Sequence, residues 1–134
     1  MNSELLYLDS SAIVKLVVRE PETVALIRLL QDWPQRVSSA LARVEVIRAI
    51  RRSTSSQSKL RRASEVLKGI NLVSIDENIL ADAARLTPAG VRSLDAIHVS
   101  TALSIAGDLA ALVTYDDRMV LAADAHHIKV WSPA

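Results

Sequence analysis

The chain has 134 residues, of which half are apolar and 23% are charged, and its net charge is +1. This size and composition predict one globular domain over residues 1–134 and exclude a disordered chain. The sequence has no cysteine, which excludes disulfide scaffolds, cysteine-ligated zinc sites and thiol nucleophiles. We expect a cytoplasmic protein without a signal peptide or a membrane span, because the longest uncharged stretch, residues 96–107, is too short to cross a bilayer.

Short apolar runs alternate with longer amphipathic segments along the sequence. In chain order, the pattern predicts a strand at 5–8, a helix that ends near 18, a helix from Pro21 to about 32, a strand at 36–38, helices at 40–52 and 57–68, a strand at 72–75, helices at 77–86 and 93–107, a strand at 110–114, a helix that ends near 125 and a strand at 128–131. Capping residues support these boundaries. Asp9, Ser39, Asp76 and Asp116 each precede a helix, and Gly69 is expected to end one in the left-handed conformation.

Five short strands separated by helices predict an α/β fold, in which helices cover both faces of a five-stranded parallel sheet. In open parallel sheets, ligands bind beyond the carboxyl ends of the strands. The residues that directly follow each strand are therefore the first candidates for a functional site.

Four acidic residues are expected to meet at that edge of the sheet. Asp9 follows the first strand and Asp116 follows the fourth, while Glu45 and Asp95 lie near the starts of two predicted helices. Each acid alone has a structural explanation. Asp9 and Asp116 can cap helices, Asp95 can offset a helix dipole, and Glu45 can pair with Arg48 one turn on. Four carboxylates in one pocket would repel one another, and a divalent cation such as Mg²⁺ or Mn²⁺ would relieve that repulsion.

Basic residues are concentrated in one part of the chain. Residues 43–68 carry eight basic and two acidic side chains, hence +6, whereas the remainder is net acidic. This asymmetry indicates either an anionic partner or a solvated arginine-rich face. Aromatic residues make up only 3% of the chain, so RNA binding would depend on salt-sensitive contacts from arginine and lysine to phosphate. The candidate contact residues are Arg43, Arg48, Arg51, Arg52, Arg61 and Arg62.

The acids lie within short motifs that occur in a recognisable order. These are LDSS from Leu8, VE ending at Glu45, LDAIH from Leu94 and TYDD from Thr114. Together they resemble the PIN-domain nucleases and, within that family, the VapC toxins of toxin–antitoxin operons. The resemblance extends over essentially the whole chain.

The resemblance implies a PIN-like five-stranded parallel sheet and Mg²⁺- or Mn²⁺-dependent endoribonuclease activity. It also implies inhibition by a small VapB-like antitoxin, whose C-terminal segment would cover the active-site groove. By position, Asp9, Glu45, Asp95 and Asp116 match the acidic quartet of the family. The apolar content of the chain permits a homodimer.

Two hydroxyl residues and one further acid complete the implied site. Ser11 and Thr114 match the hydroxyl residues beside the first and last acids. Asp117 is the alternative to Asp116 as a metal ligand, but the family places the acid two residues after the threonine, which favours Asp116. The expected reaction is metal-assisted phosphodiester hydrolysis, in which water rather than the 2′-hydroxyl attacks and the product carries a 5′-phosphate.

A second function stays open at this stage. A PIN-like domain with an inactive site would bind RNA or protein without cleaving it, and this binding would survive removal of metal. Receiver domains and Asp-x-Asp phosphatases do not fit, since Ser11 occupies the position at which the phosphatases need a second aspartate. His98 is interpreted as a neutral core histidine rather than as a ligand or a general base.

Overall fold

A computed structural model of the chain describes residues 4–134. In that range it contains five strands, seven α-helices and a short 3₁₀ helix at Ala106–Asp108. The strands are β1 Leu5–Leu8, β2 Arg36–Ser39, β3 Asn71–Val73, β4 Leu109–Val113 and β5 Val130–Trp131. The α-helices are α1 Ser10–Val17, α2 Thr23–Gln31, α3 Ala42–Ser53, α4 Gln57–Lys68, α5 Glu77–Arg85, α6 Ser93–Ser104 and α7 Asp117–Asp124.

The five strands form one parallel sheet in the order β3-β2-β1-β4-β5. From β1 the chain first builds outward through β2 and β3, and then returns to the other side of β1 to add β4 and β5. The order therefore reverses between β1 and β4, where Tyr7 pairs with Leu112 and Leu8 with Val113. Such a reversal opens a crevice at the carboxyl ends of the two strands.

Helices cover both faces of the sheet, as the sequence predicts. Side chains alternate along β1, so that Leu6 and Leu8 enter one core layer and Tyr7 enters the other. The first layer is closed by α1 to α4 and the second by α6 and α7, while α5 packs on α6. Because β1 and β4 are packed between these two layers, the residues at their carboxyl ends are held in defined positions.

Two capping predictions were wrong in whole or in part. Ser39 is the last, fully buried residue of β2, and its hydroxyl accepts from the Leu41 backbone N–H at 3.1 Å, so that α3 begins only at Ala42. Gly69 does end α4 after Lys68, as predicted, but its φ of −86° is not left-handed, and its N–H closes the last turn of the helix on Val66. In contrast, Asp9, Asp76 and Asp116 cap their helices as predicted.

Several boundaries also differ from the prediction. Pro21 lies before α2 rather than in its first turn, and α6 ends at Ser104, where the chain tightens into the 3₁₀ helix. Strand β3 lies at 71–73 instead of 72–75, and β5 retains only Val130 and Trp131. None of these shifts moves a predicted acid away from the carboxyl edge of the sheet.

No helix within residues 4–134 is long and apolar enough to cross a membrane.

Candidate active site

A pocket of about 400 Å³ lies at the carboxyl ends of β1 and β4, and it is lined by all four predicted acids, Asp9, Glu45, Asp95 and Asp116. A larger cavity of about 580 Å³ lies near Leu109, at the opposite end of β4. Glu4 is the only acidic residue among those that line it. The smaller pocket is therefore the one that gathers carboxylates at the point where the sheet topology favours a ligand.

Asp9 is the deepest of the four acids. It caps α1, and its Oδ1 accepts from the backbone N–H of Ala12 at 3.0 Å and from Ser11 Oγ at 2.6 Å. Its Oδ2 accepts from Thr114 Oγ1 at 2.5 Å. Burial raises the pKa of Asp9, and these hydrogen bonds oppose that rise only in part. Asp9 is thus a buried carboxyl group that would gain from a nearby positive charge.

Glu45 is held by a second set of hydrogen bonds. Its Oε1 accepts from Ser10 Oγ at 2.6 Å and lies 2.7 Å from Nε2 of His98. Burial alone would raise the pKa of Glu45, but the hydrogen bonds with His98 and Ser10, together with the electrostatic effects of His98 and Arg92, outweigh it and lower the pKa. The side chain of Glu45 is therefore ionised and fixed in place at the pocket wall.

Arg92 joins the remaining two acids. Its Nε lies 3.0 Å from Asp95 Oδ2, and one of its terminal nitrogens lies 3.5 Å from Asp116 Oδ2. Asp95 is buried in the first turn of α6, whereas the side chain of Arg92 is half exposed. The guanidinium group thus neutralises part of the acidic pocket from its rim.

The structure separates the two adjacent acids at the start of α7. Asp116 caps the helix, with its Oδ1 accepting from the Arg118 N–H at 2.9 Å, and it lines the pocket. Asp117 is exposed and does not line the pocket. Because the cap fixes Asp116 toward Arg92, we retain Asp116 and not Asp117 as the candidate ligand.

The two hydroxyl residues tie the first acid to the last. Thr114 Oγ1 donates to Asp9 and accepts from the backbone N–H of Asp116 at 3.1 Å. Ser11 Oγ lies 3.3 Å from the same Thr114 hydroxyl. Ser11 and Thr114 therefore connect the carboxylate of Asp9 to the backbone of Asp116 through hydrogen bonds.

The donor chemistry of the pocket fits a hard divalent cation. Its candidate ligands are carboxylate oxygens, which Mg²⁺ and Mn²⁺ prefer, and the buried Asp9 would be relieved by a cation. With the side chains as they stand, no three Asp, Glu or His residues within 4–134 surround one common position. Arg92 engages Oδ2 of Asp95 and Oδ2 of Asp116 in this arrangement, so an ion that uses these two oxygens has to compete with the guanidinium group.

The predicted basic contacts lie on the outside of α3 and α4, two helices that pack against each other. Arg48, Arg51 and Arg52 together line a surface depression of about 220 Å³ on α3. The other three predicted contact residues are exposed but do not line that depression. They are Arg43, Arg61 and Arg62. None of the six lines the carboxylate pocket.

Sequence reasoning missed three side chains that shape the pocket, Ser10, Arg92 and His98. Arg92 and His98 stand three residues before and after Asp95, a spacing that puts residues near one another on a helix and could have drawn attention to both. His98 is buried, as predicted, but it also reaches Glu45. Ser10 was missed because the family resemblance falls on Ser11, and no other sequence signal singles out the serine between Asp9 and Ser11.

Comparison with known proteins agrees with this geometry. The family model of the PIN domain matches residues 6–125. Ribonuclease VapC46 of Mycobacterium tuberculosis is 48% identical over 129 residues, which covers 96% of this chain and 98% of the relative.

Two solved structures share the fold at low sequence identity. A toxin–antitoxin complex from Klebsiella pneumoniae matches with a TM-score of 0.71 and 20% identity, over 96% of this chain and 98% of the other. VapC20 of Mycobacterium tuberculosis, described as a sarcin-ricin loop cleaving toxin, matches with a TM-score of 0.67 and 15% identity, over 87% and 94% of the two chains. The predicted α/β fold and the family resemblance are both confirmed, and the chain belongs to the PIN-domain family, in the group of the VapC ribonucleases.

Proposed function

We propose that this chain is a metal-dependent endoribonuclease of the VapC type, formed by a single PIN-like domain and active in the cytoplasm. The observation that carries the proposal is the pocket in which Asp9, Glu45, Asp95 and Asp116 meet at the carboxyl edge of the sheet. The 48% identity to a protein named as a ribonuclease supports the same activity. An inactive binding module is disfavoured, because four mutually repelling acids give no benefit to a site that binds no cation.

The four acids and the two hydroxyl residues would have different roles in hydrolysis. Asp9 and Asp95 would hold the main Mg²⁺ or Mn²⁺, and Glu45 and Asp116 would hold a second ion or orient the attacking water. When bound, the cation would lower the pKa of a bound water molecule and neutralise negative charge on the phosphate. Ser11 and Thr114 fix the angle of Asp9, so that its carboxylate does not have to reorganise during the reaction.

The chemistry of the cut ends tests this proposal. Antitoxin-free protein is incubated with total RNA in Mg²⁺ or Mn²⁺, with Asp116→Asn and Asp117→Asn in parallel. We expect discrete fragments with 5′-phosphate and 3′-hydroxyl ends from the wild type and from Asp117→Asn, and none from Asp116→Asn. Fragments with 5′-hydroxyl ends would show that the 2′-hydroxyl attacks. RNA that is bound but left intact in every metal would establish the binding module instead.

Arg92 is expected to compete with the metal. The Arg92→Gln variant should bind Mn²⁺ roughly 2- to 10-fold more tightly, since the Arg92 side chain is half exposed and solvent screens its ion pairs to about 1 kcal/mol. Titration calorimetry measures the affinity. Arg85→Gln is the matched control, because Arg85 forms an exposed i,i+3 ion pair with Asp82 on α5. Weaker binding by Arg92→Gln would mean that Arg92 holds the acids in place for the ion.

We also propose that the chain binds RNA and a VapB-like antitoxin, and that it forms a homodimer. Support for the antitoxin comes from the fold shared with a toxin–antitoxin complex. The exposed arginines on α3 and α4 offer positive charge to either partner.

The Arg48–Arg51–Arg52 depression is expected to contact RNA phosphates. Replacing all three arginines with glutamine should flatten the dependence of log Kd on log salt by up to about 2, since each lost contact to single-stranded RNA removes about 0.7. Binding is measured at several KCl concentrations in an Asp95→Asn background, which leaves the RNA uncut. An unchanged slope would remove these residues from the RNA interface, and a loss confined to antitoxin binding would assign them to that partner.

A further inference from the structure

A chain of hydrogen bonds connects the interior of the sheet to the pocket. Tyr7 in the middle of β1 is fully buried, and its hydroxyl lies 2.7 Å from Nδ1 of His98. The other ring nitrogen of His98, Nε2, lies 2.7 Å from Glu45 Oε1. One histidine on α6 thus bridges a core phenol to a carboxylate on α3.

The donors and acceptors available in this series of hydrogen bonds give the position of each proton. A buried phenol retains its proton, since burial raises the pKa of Tyr7. The hydroxyls of Ser38 and Thr101 also lie close to it, but Nδ1 of His98, at 2.7 Å, is its hydrogen-bond partner. Because Tyr7 has a single O–H, donation to Nδ1 makes that nitrogen an acceptor. A neutral imidazole that accepts at Nδ1 carries its own proton on Nε2, from which it donates to Glu45.

The consequence for Glu45 is an asymmetric carboxylate. Both of its hydrogen bonds, from Ser10 and from His98, fall on Oε1. No hydrogen-bond donor within residues 4–134 engages Oε2. One oxygen is therefore used to orient the side chain, and the other stays available at the wall of the pocket.

We propose that Tyr7 and His98 are positioning residues, which fix the tautomer of His98 and thereby hold Glu45 with Oε2 free for the proposed metal. This inference rests on the proposed function and extends it to two residues outside the acidic quartet. Hydrogen bonds that orient the ligands of a metal commonly change metal affinity or activity by about 10- to 100-fold when they are removed.

Four variants test the proposal in antitoxin-free protein. His98→Leu removes the donor to Glu45 and is expected to lower Mn²⁺ affinity about 10- to 100-fold. His98→Gln retains an N–H donor near the position of Nε2 and should recover most of that loss. Tyr7→Phe should lower the affinity roughly 2- to 10-fold, the value of one hydrogen bond, and should have no further effect when added to His98→Leu. Tyr115→Phe is the matched control. It removes an equally short hydroxyl bond, to Pro133 O at 2.7 Å, and the Tyr115 side chain does not line the pocket although its neighbours Thr114 and Asp116 belong to the site.

Two readouts separate positioning from a purely structural role. Thermal unfolding identifies any variant that does not fold, and Mn²⁺ affinity is compared only among folded variants. A ¹⁵N–¹H spectrum of the histidine rings shows which nitrogen of His98 holds the proton, whether or not the protein cleaves RNA. The expected result is a neutral Nε2–H form in the wild type, with altered ring signals in Tyr7→Phe.

The outcomes distinguish this inference from the proposed function. If the wild type binds Mn²⁺ and cleaves RNA, but the folded Tyr7 and His98 variants match it in affinity and kcat, the inference alone is wrong. An Nδ1–H tautomer in the wild type would also overturn it. If the wild type cleaves no RNA in any metal, the proposed function fails, and the ring spectrum still decides whether Tyr7 sets the tautomer.

Discussion

Asp95→Asn is expected to reduce RNA cleavage by more than about 100-fold while the protein stays folded. Asn has the size of Asp but lacks the charge that a cation needs from its ligand. Loss of a metal ligand should exceed the 10- to 100-fold effect of losing a residue that only orients one. The variant also releases Arg92 from its 3.0 Å ion pair, so that the positive charge at the rim is less restrained.

The cost of Asp95→Asn in stability should be small. The lost ion pair and the lost interaction with the start of α6 together amount to about 1 kcal/mol. Cleavage rates are compared with those of Asp76→Asn, which changes another helix-capping aspartate, one that does not line the pocket, to an equally good cap. Cleavage by Asp95→Asn at the rate of Asp76→Asn would remove Asp95 from the catalytic site.

Asp9→Asn is expected to inactivate the enzyme to the same extent, yet to stabilise it in the absence of metal. Burial raises the pKa of Asp9, so the ionised carboxylate costs the folded state free energy at neutral pH. Asn removes that charge, caps α1 equally well and still accepts from Ala12. Its amide nitrogen cannot accept from Thr114, so the loss of that hydrogen bond offsets part of the gain. We expect the free energy of unfolding to rise by on the order of 1 kcal/mol.

The pH dependence of this gain has a defined sign. Asp9 has a higher pKa in the folded than in the unfolded chain, so its penalty is present above the folded pKa and is relieved as the pH falls through it. The difference between Asp9→Asn and the wild type should therefore shrink on acidification. Thermal unfolding without metal, from about pH 8 down to about pH 5, measures this difference in stability.

With added metal, the wild type should become more stable than Asp9→Asn. Wild type gains about 2.7 kcal/mol when Mn²⁺ is present at 100 times its Kd, whereas Asp9→Asn gains little. If Asp9→Asn is less stable than the wild type without metal, the buried charge is compensated by the protein itself and Asp9 has no need of a cation.

Much of the site could be predicted because it depends on topology rather than on side-chain detail. A parallel sheet brings the residues after β1 and β4 to one edge, so Asp9 and Asp116 meet there whatever the exact strand ends. Helix caps were predicted well where Asp was the cap, as at Asp76. They were predicted poorly at Ser39, where burial within β2 took precedence over the capping preference of serine.

The remaining features depend on where long or buried side chains turn in three dimensions. Arg92 can point to solvent or to the acids with little change in backbone, and no sequence pattern decides between these positions. The partners of His98 could not be predicted, because Tyr7 and Glu45 are separated from it by 91 and 53 residues in the sequence. Contacts at such separations arise only when the sheet and α6 have assembled.

The measurement that tests the central proposal most directly is the rate of RNA cleavage by antitoxin-free wild-type protein as the Mn²⁺ concentration is raised from zero in the presence of a chelator. We expect no cleavage until free Mn²⁺ appears, and then a rise to a plateau, with half of the maximal rate at a free Mn²⁺ concentration that matches the Kd from calorimetry. Cleavage that proceeds at its full rate in the chelator alone would contradict a metal-dependent reaction in the carboxylate pocket.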